Sequence, residues 1–241
     1  MTIDEIYRLV QTFANKEQRG FISPTDFNLL AKQAELELYN KRLSIIKEKS
    51  PTKRIQGAYA ETLSPELAKQ DIVNFFSLKE LNVIEGSVSY GGNKAQLICD
   101  YIEAIFSIPS RNQSISSNIP VDIVKPSDVN QILRSSLVKP SNYYPIALIS
   151  GNAKAKVINV FPDSLTKIIV YCYYYGDNIP NWSYVTISGK PVYDVSSSTN
   201  FSISNRCHGE LVVKILEYLG VSIREAEVVQ YAQANEIKAD S

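Results

Sequence analysis

The stretch Ala155-Lys156-Val157-Ile158-Asn159-Val160-Phe161-Pro162-Asp163, followed by Ile168-Ile169-Val170-Tyr171-Cys172-Tyr173-Tyr174-Tyr175-Gly176-Asp177-Asn178-Ile179-Pro180-Asn181-Trp182, decides the fold class. Its residues are β-branched or aromatic, and turn formers bound each run. That pattern predicts two adjacent antiparallel strands. The run from Ile168 to Tyr175 is apolar or aromatic at nearly every position, so both of its faces require cover from other elements or from a neighbouring subunit.

The flanking sequence is helical at both ends. Thr2 caps a first helix from Ile3 to about Gln18, with Ile3, Ile6, Tyr7, Val10, Phe13 and Ala14 on one stripe and Gly20 as its stop. Ser23, Pro24 and Asp26 then make a strong helix start. This second helix is expected to reach Lys47, with Phe27, Leu30, Ala31, Ala34, Leu38 and Ile45 on one side, antiparallel to the first. After a polar linker, Ser64-Pro65-Glu66 opens a short helix expected to run through Phe75 and Phe76.

Val83-Ile84 and Val88 to Tyr90 read as strands. Ala95 to Phe106 is helix or strand by pattern, and its β-rich neighbourhood favours strand. Pro109 to Asn118 reads as a polar loop. A brief strand at Val121 to Val124, a helix capped by Ser127 and a strand from Tyr144 to Ile149 follow. Val185 to Ile187 and Val192 to Val195 read as further sheet edges. Near the end, Leu211, Val212, Ile215, Leu216 and Leu219 mark a helix from Cys207, and a Ser222/Glu225 capping box starts a last one.

The expectation is an α+β chain in three regions. Residues 1–80 form an N-terminal antiparallel helical hairpin, 81–203 a central, mostly antiparallel β domain, and 204–241 C-terminal helices that pack back on the hairpin.

Composition narrows the function. The 241 residues carry 25 basic and 25 acidic side chains, which argues against a surface that grips nucleic acid throughout. No apolar run is long enough to span a membrane, and Met1 to Tyr7 lacks the pattern of a signal peptide. Cys99, Cys172 and Cys207 are odd in number and widely spaced, so reduced thiols in a reducing cytoplasm are expected.

Catalysis needs a base and a partner within its reach. The one histidine, His208, reads as a partly exposed helix-start residue. Cys207 and His208 are sequence neighbours, about 100° apart on a helix, and do not face one another. Gly86 to Gly92 lacks the Gly-Lys-Ser/Thr ending of a phosphate loop, and no nucleophile elbow is present. Asp122 and Asp128 read as strand and helix-start residues. The reading is therefore not an enzyme, with no cofactor and no metal.

Two features suggest contacts with partners. Lys41, Arg42, Lys47, Lys49, Lys53 and Arg54 face only Glu48 in the same stretch, and read either as a patch for DNA phosphates or an acidic partner, or as a solvated helix end. Tyr171, Tyr173, Tyr174, Tyr175 and Trp182 read either as a subunit interface or as packed core.

Several stretches together resemble one family. They are Lys16 to Pro24 with Phe27-Asn28, Pro140 with Tyr144-Pro145-Ile146, Val160-Phe161-Pro162, Val170 to Tyr174, Ile179 to Trp182, and Glu210-Leu211-Val212 with Gly220 to Glu225. This series is similar to the neck and tail ring proteins of podovirus-like tailed phages, including crAss-like phages of gut Bacteroidetes. Residues 81–118 match least, and Tyr171 to Tyr175 lacks the basic residue the family pattern carries near that strand's end.

The resemblance implies a virion structural protein, made in the bacterial host cytoplasm, that forms a homo-oligomeric, often dodecameric, ring between portal and distal tail. Its neighbours would be the portal and adjacent tail rings, and genomic DNA would pass through it without specific binding. The alternative from a different class is a monomeric receptor- or carbohydrate-binding module with an aromatic platform.

Overall fold

The structure, a computed structural model, describes residues 1–16, 21–48, 64–85, 93–108, 118–152, 155–176 and 179–220. In chain order the elements are α1 (Ile3–Lys16), α2 (Pro24–Glu48), α3 (Pro65–Asp71), β1 (Phe76–Asn82), β2 (Ile84–Glu85), β3 (Asn93–Ile98) and β4 (Tyr101–Ser107). Then come β5 (Ile119–Pro120), β6 (Asp122–Val124), α4 (Pro126–Arg134), β7 (Ile146–Gly151), β8 (Ala155–Phe161), β9 (Lys167–Tyr173), β10 (Tyr184–Ile187), β11 (Lys190–Tyr193) and α5 (His208–Tyr218). The class is α+β, with helices at the N-terminal and C-terminal ends and mainly antiparallel sheets between them. The described residues divide into two compact units, one from Met1–Asn74 with Gly176–Ser241 and one from Phe75–Tyr175. The sequence reading set its boundaries at 80 and 203; the units meet at 74/75 and 175/176.

In the helical unit the expected α1 stripe is buried in full, and Leu9 joins it. Burying each large aliphatic side chain contributes about 1.5–3 kcal/mol, so this face anchors the helix. The start of α2 follows its sequence. The Ser23 hydroxyl accepts the Asp26 N–H at 3.1 Å and donates to the Asp26 carboxylate at 2.6 Å. Tyr7 and Gln11 of α1 both donate to the Ile22 carbonyl, which fixes the chain just before α2. Phe27, Ala31, Ala34 and Leu38 are buried, whereas Leu30 and Ile45 are half-buried; Tyr39, Leu43 and Ile46 complete the inward face.

Ser64 caps α3 through its hydroxyl, as expected, but the helix ends at Asp71 and Phe76 already belongs to β1. β10 and β11 are not edges of a larger sheet. They pair only with each other, through a turn at Ser188 (φ 52°) and Gly189 (φ 78°), both in the left-handed region that a two-residue hairpin turn requires. Leu211, Val212, Ile215 and Leu216 of α5 are buried, and Gly220 at φ 71° stops the helix.

The strand-rich unit contains two sheets, one of order β1-β9-β4-β5 and one of order β2-β3-β8-β7-β6. Ala95, Leu97, Ile102, Ile105, Ala147, Ile158, Val160, Ile168 and Val170 form one core from inward residues of both sheets. Ala95 to Phe106 is strand, divided between β3 in one sheet and β4 in the other.

β8 and β9 do not pair with each other. β8 lies between β3 and β7, and β9 between β1 and β4, so the connection carries the chain from one sheet to the other. Leu165 of that connection is buried in the shared core, and the Asn93 amide holds the turn through the Asp163 and Leu165 carbonyls. Local pattern identified both strands; their partners are set by residues 57 or more positions away in the case of β3 and β4, which local pattern does not report.

β7 is buried on both faces. Ala147 faces the inter-sheet core, while Ile146 and Leu148 meet Val129 of α4 on the other side. The start of α4 departs from expectation: Pro126 occupies the first turn and Lys125 is the N-cap, without a side-chain cap, so Ser127 does not cap it. At Gly151 (φ 107°) an added Cβ would lie 2.3 Å from the Ala155 carbonyl oxygen, so the turn into β8 requires glycine. The expected strand at 88–90, most of the loop at 109–118 and the capping box at 222–225 lie outside the described residues.

Candidate interaction surface

Side chains alternate along β9. Ile168, Val170 and Cys172 enter the inter-sheet core, which turns Ile169, Tyr171 and Tyr173 to the other face of the four-stranded sheet. Residues directly opposite in an antiparallel pair share a face. Phe76, Leu78 and Glu80 of β1 and Tyr101, Ala104 and Phe106 of β4 therefore lie on that face too. Tyr171 packs between Phe76 (5.9 Å between centroids) and Phe106 (5.3 Å, edge to face), and Tyr173 between Phe76 (5.1 Å) and Tyr101 (6.4 Å).

The result is a sheet face mainly of aromatic and aliphatic groups, with Glu80 paired to Lys167 at its edge, in which Tyr171, Phe76, Phe106 and Ile169 remain half-buried and Leu78 is 53% exposed. Tyr173 is different. It is 2% exposed, and burial, followed by the charge of Glu103, pushes its phenol pKa up. Its hydroxyl bonds to Glu103 at the β4 irregularity between Ile102 and Ala104, where an inserted residue re-aims a side chain.

The remaining interface candidates fall elsewhere. Tyr174 and Tyr175 follow β9 and are half-buried, with Tyr175 stacked on Phe75 at 5.4 Å and its N–H donated to the Asp100 carboxylate at 2.7 Å. Trp182 lies in the helical unit and is 4% exposed. Its indole N–H donates to Asp4 at 3.0 Å and its ring meets Tyr7, Tyr184 and Tyr193. Asn28 of α2 clasps its backbone, accepting the Trp182 N–H at 2.7 Å and donating to its carbonyl at 3.1 Å. Tyr173 and Trp182 are thus interior residues of their own units, because each finds aromatic neighbours and a carboxylate acceptor there. Phe76, Leu78, Tyr101 and Phe106 were missed by sequence reasoning, although alternation in β1 and β4 carries the signal once the register is known.

The basic stretch does not remain a patch. Arg42, on the inward side of α2, is buried, with Nε 2.8 Å from Asp71 and Nη2 2.5 Å from Glu210. Lys41 pairs with the other Glu210 oxygen at 2.6 Å, and Arg206 donates to Asp71 at 2.7 Å. Burial raises the Glu210 pKa, but Lys41 and Arg42 outweigh it and the net shift is downward. Two of the six expected contact residues thus serve to join α2, α3 and α5. Lys47 is exposed at the end of α2, and Lys49, Lys53 and Arg54 lie outside the described residues.

His208 also departs from its reading. It is 2% exposed, neither ring nitrogen has a hydrogen-bond partner, and its ring meets Phe201 at 6.1 Å. Burial first, then the charge of the N-terminus, lowers its pKa to about 4, with partial opposition from the Ile203 backbone and Glu5. Beside Trp182, a groove of about 320 Å³ is lined by Asp4, Arg8, Phe21, Val192 and Tyr193 among others.

Among the described residues no group of three His, Cys, Asp or Glu side chains could hold a metal ion, and no helix is long and apolar enough to cross a membrane. No protein-family model matches the chain, and no curated protein matches it significantly.

Proposed function

We propose that this chain is a structural subunit that assembles with copies of itself into a ring, and that the ring forms part of a phage neck or tail between portal and distal tail. The observation that carries this reading is the outer face of the four-stranded sheet, where Leu78, Tyr171, Phe106 and Ile169 form a continuous apolar surface left partly open to solvent. Such surfaces mark contacts between proteins, and aromatic residues are enriched in the buried centres of interfaces. Contacts between unlike surfaces of identical copies close into rings when the rotation permits. The equal numbers of acidic and basic residues suit a conduit that DNA must pass without being held. The portal and neighbouring rings are the proposed partners, and the virion the proposed location.

Negative-stain electron microscopy of the full chain, with and without portal protein, tests the proposal. Rings with a central hole are expected; single small particles under both conditions would contradict it.

A second reading, a glycan- or receptor-binding module, has one observation in its favour. The groove beside Trp182 exposes Phe21 (69%) next to Tyr193. Retention on glycan arrays, with a ligand-dependent change in the fluorescence of Trp182, the sole tryptophan, would select it.

A further inference from the structure

The hairpin of β10 and β11 has two unlike faces. Directly opposite residues share a face, so Tyr184, Thr186, Pro191 and Tyr193 lie on one, and Val185, Ile187, Lys190 and Val192 on the other. The first packs on Trp182, whose ring stacks on Tyr184 at 5.8 Å and on Tyr193 at 5.7 Å. The second is open, with Val185 54%, Ile187 57% and Val192 44% exposed.

A hairpin of four residues per strand is marginal in water by itself, and this one is held at its base. Asn181 and Thr199 exchange two backbone hydrogen bonds, of 3.0 and 2.9 Å, and the Asp194 N–H donates to the Ser183 carbonyl at 3.0 Å. The Ser183 N–H donates to the Ser198 hydroxyl at 2.9 Å. Three β-branched aliphatic side chains are thus presented to solvent on an arm fixed in advance, which lowers the ordering cost of any contact they make.

The outer face of the four-stranded sheet is the other open apolar surface, and its charge is complementary. Lys190 is the one charged residue on the open hairpin face. The sheet face carries Glu80 and, beside Tyr173, Glu103, against Lys167 alone. Glu80 and Lys167 are about half exposed, so their 2.9 Å pair contributes little and leaves Glu80 free to take a second cation.

We propose that the open hairpin face of one copy packs on the outer sheet face of the next, with Val185, Ile187 and Val192 over Leu78, Ile169 and Tyr171 and with Lys190 at Glu80. The inference rests on the ring reading above and supplies what that reading needs. A surface that pairs with itself closes a dimer, whereas a ring requires two unlike surfaces on each copy. Apolar faces of two sheets pack about 10 Å apart with side chains interdigitated, and β-branched residues against aromatic rings suit that arrangement.

The test uses three full-length chains: the wild type, the sheet-face variant Leu78→Glu/Tyr171→Glu, and a hairpin variant, Val185→Glu/Ile187→Glu. The hairpin substitutions fall on the open face, so circular dichroism and Trp182 fluorescence should match the wild type. By light scattering each variant alone should be monomeric. Mixed in equal amounts at high concentration, the two should form a one-to-one heterodimer and nothing larger, because the mixture keeps one intact hairpin face and one intact sheet face. Lys190→Glu should weaken wild-type assembly about tenfold, and Glu80→Lys added to the same chain should restore it. A hairpin variant that assembles as the wild type does, or a mixture of variants that stays monomeric, would overturn this inference and leave the ring reading standing. A monomeric wild type would overturn both.

Discussion

Lowering the pH should destabilise the helical unit through His208. The imidazole is buried against Phe201 with neither nitrogen hydrogen-bonded, and its pKa falls from 6.5 to about 4. Above pH 6.5 both folded and unfolded chains hold it neutral, and its full stability is present. Between 6.5 and 4 the unfolded chain binds a proton that the folded chain refuses, so stability declines as pH falls through this window. At one pKa unit per 1.36 kcal/mol the loss at pH 4.5 comes to about 2.5 kcal/mol.

Urea unfolding followed by Trp182 fluorescence reports this unit, because Trp182 belongs to it. With a slope of about 2 kcal/mol/M, the midpoint should move down by about 1 M between pH 7 and 4.5. His208→Leu, similar in volume, should remove that part of the shift. It should also be neutral or stabilising at pH 7, since it removes two unsatisfied buried nitrogens. Acidic groups such as Glu210, with its lowered pKa, lose stability on acidification in both proteins and cancel in the comparison. Equal losses in wild type and variant would refute the reasoning.

Asp71→Ala should cost about 2–3 kcal/mol, because it removes the more buried of the two carboxylates that pair with the Arg42 guanidinium and leaves Glu210 as its remaining partner; Arg206→Ala, which removes a half-exposed partner of the same carboxylate, should cost under about 1 kcal/mol. Denaturation of the two variants side by side checks the ordering. Trp182→Ala should destabilise the helical unit by about 3–5 kcal/mol through the cavity left beside Tyr7 and Tyr193, as read by its thermal midpoint in circular dichroism. Ser23→Ala should cost about 1 kcal/mol by removing the acceptor for the Asp26 N–H, a loss measurable in the same denaturation series.

What the sequence discloses depends on how local the cause is. The stripe of α1, the Ser23 cap and the stop at Gly220 are fixed by residues a few positions apart, and all appear as read. The strands β8 and β9 were visible for the same reason, but their assignment to different sheets depends on β1, β3, β4 and β7. Arg42 looks like one of six surface cations until Asp71 and Glu210, 29 and 168 positions away, are brought to it. Trp182 looks like an exposed anchor until Asp4 and Asn28 take up its polar groups. Tyr171 and Tyr173 share one face of one strand, and only the neighbouring rings distinguish the half-open residue from the buried one.

Light scattering on the wild type and on a Leu78→Glu/Tyr171→Glu double variant tests most directly whether the outer face of the four-stranded sheet joins subunits. Both substitutions lie on that face, away from the inter-sheet core, so the circular-dichroism melt should confirm that the variant folds. The account predicts a wild-type oligomer with a mass several times that of the 27.0 kDa chain, and a monomeric variant under the same conditions. A wild type that stays monomeric, or a folded variant that assembles as the wild type does, would contradict it.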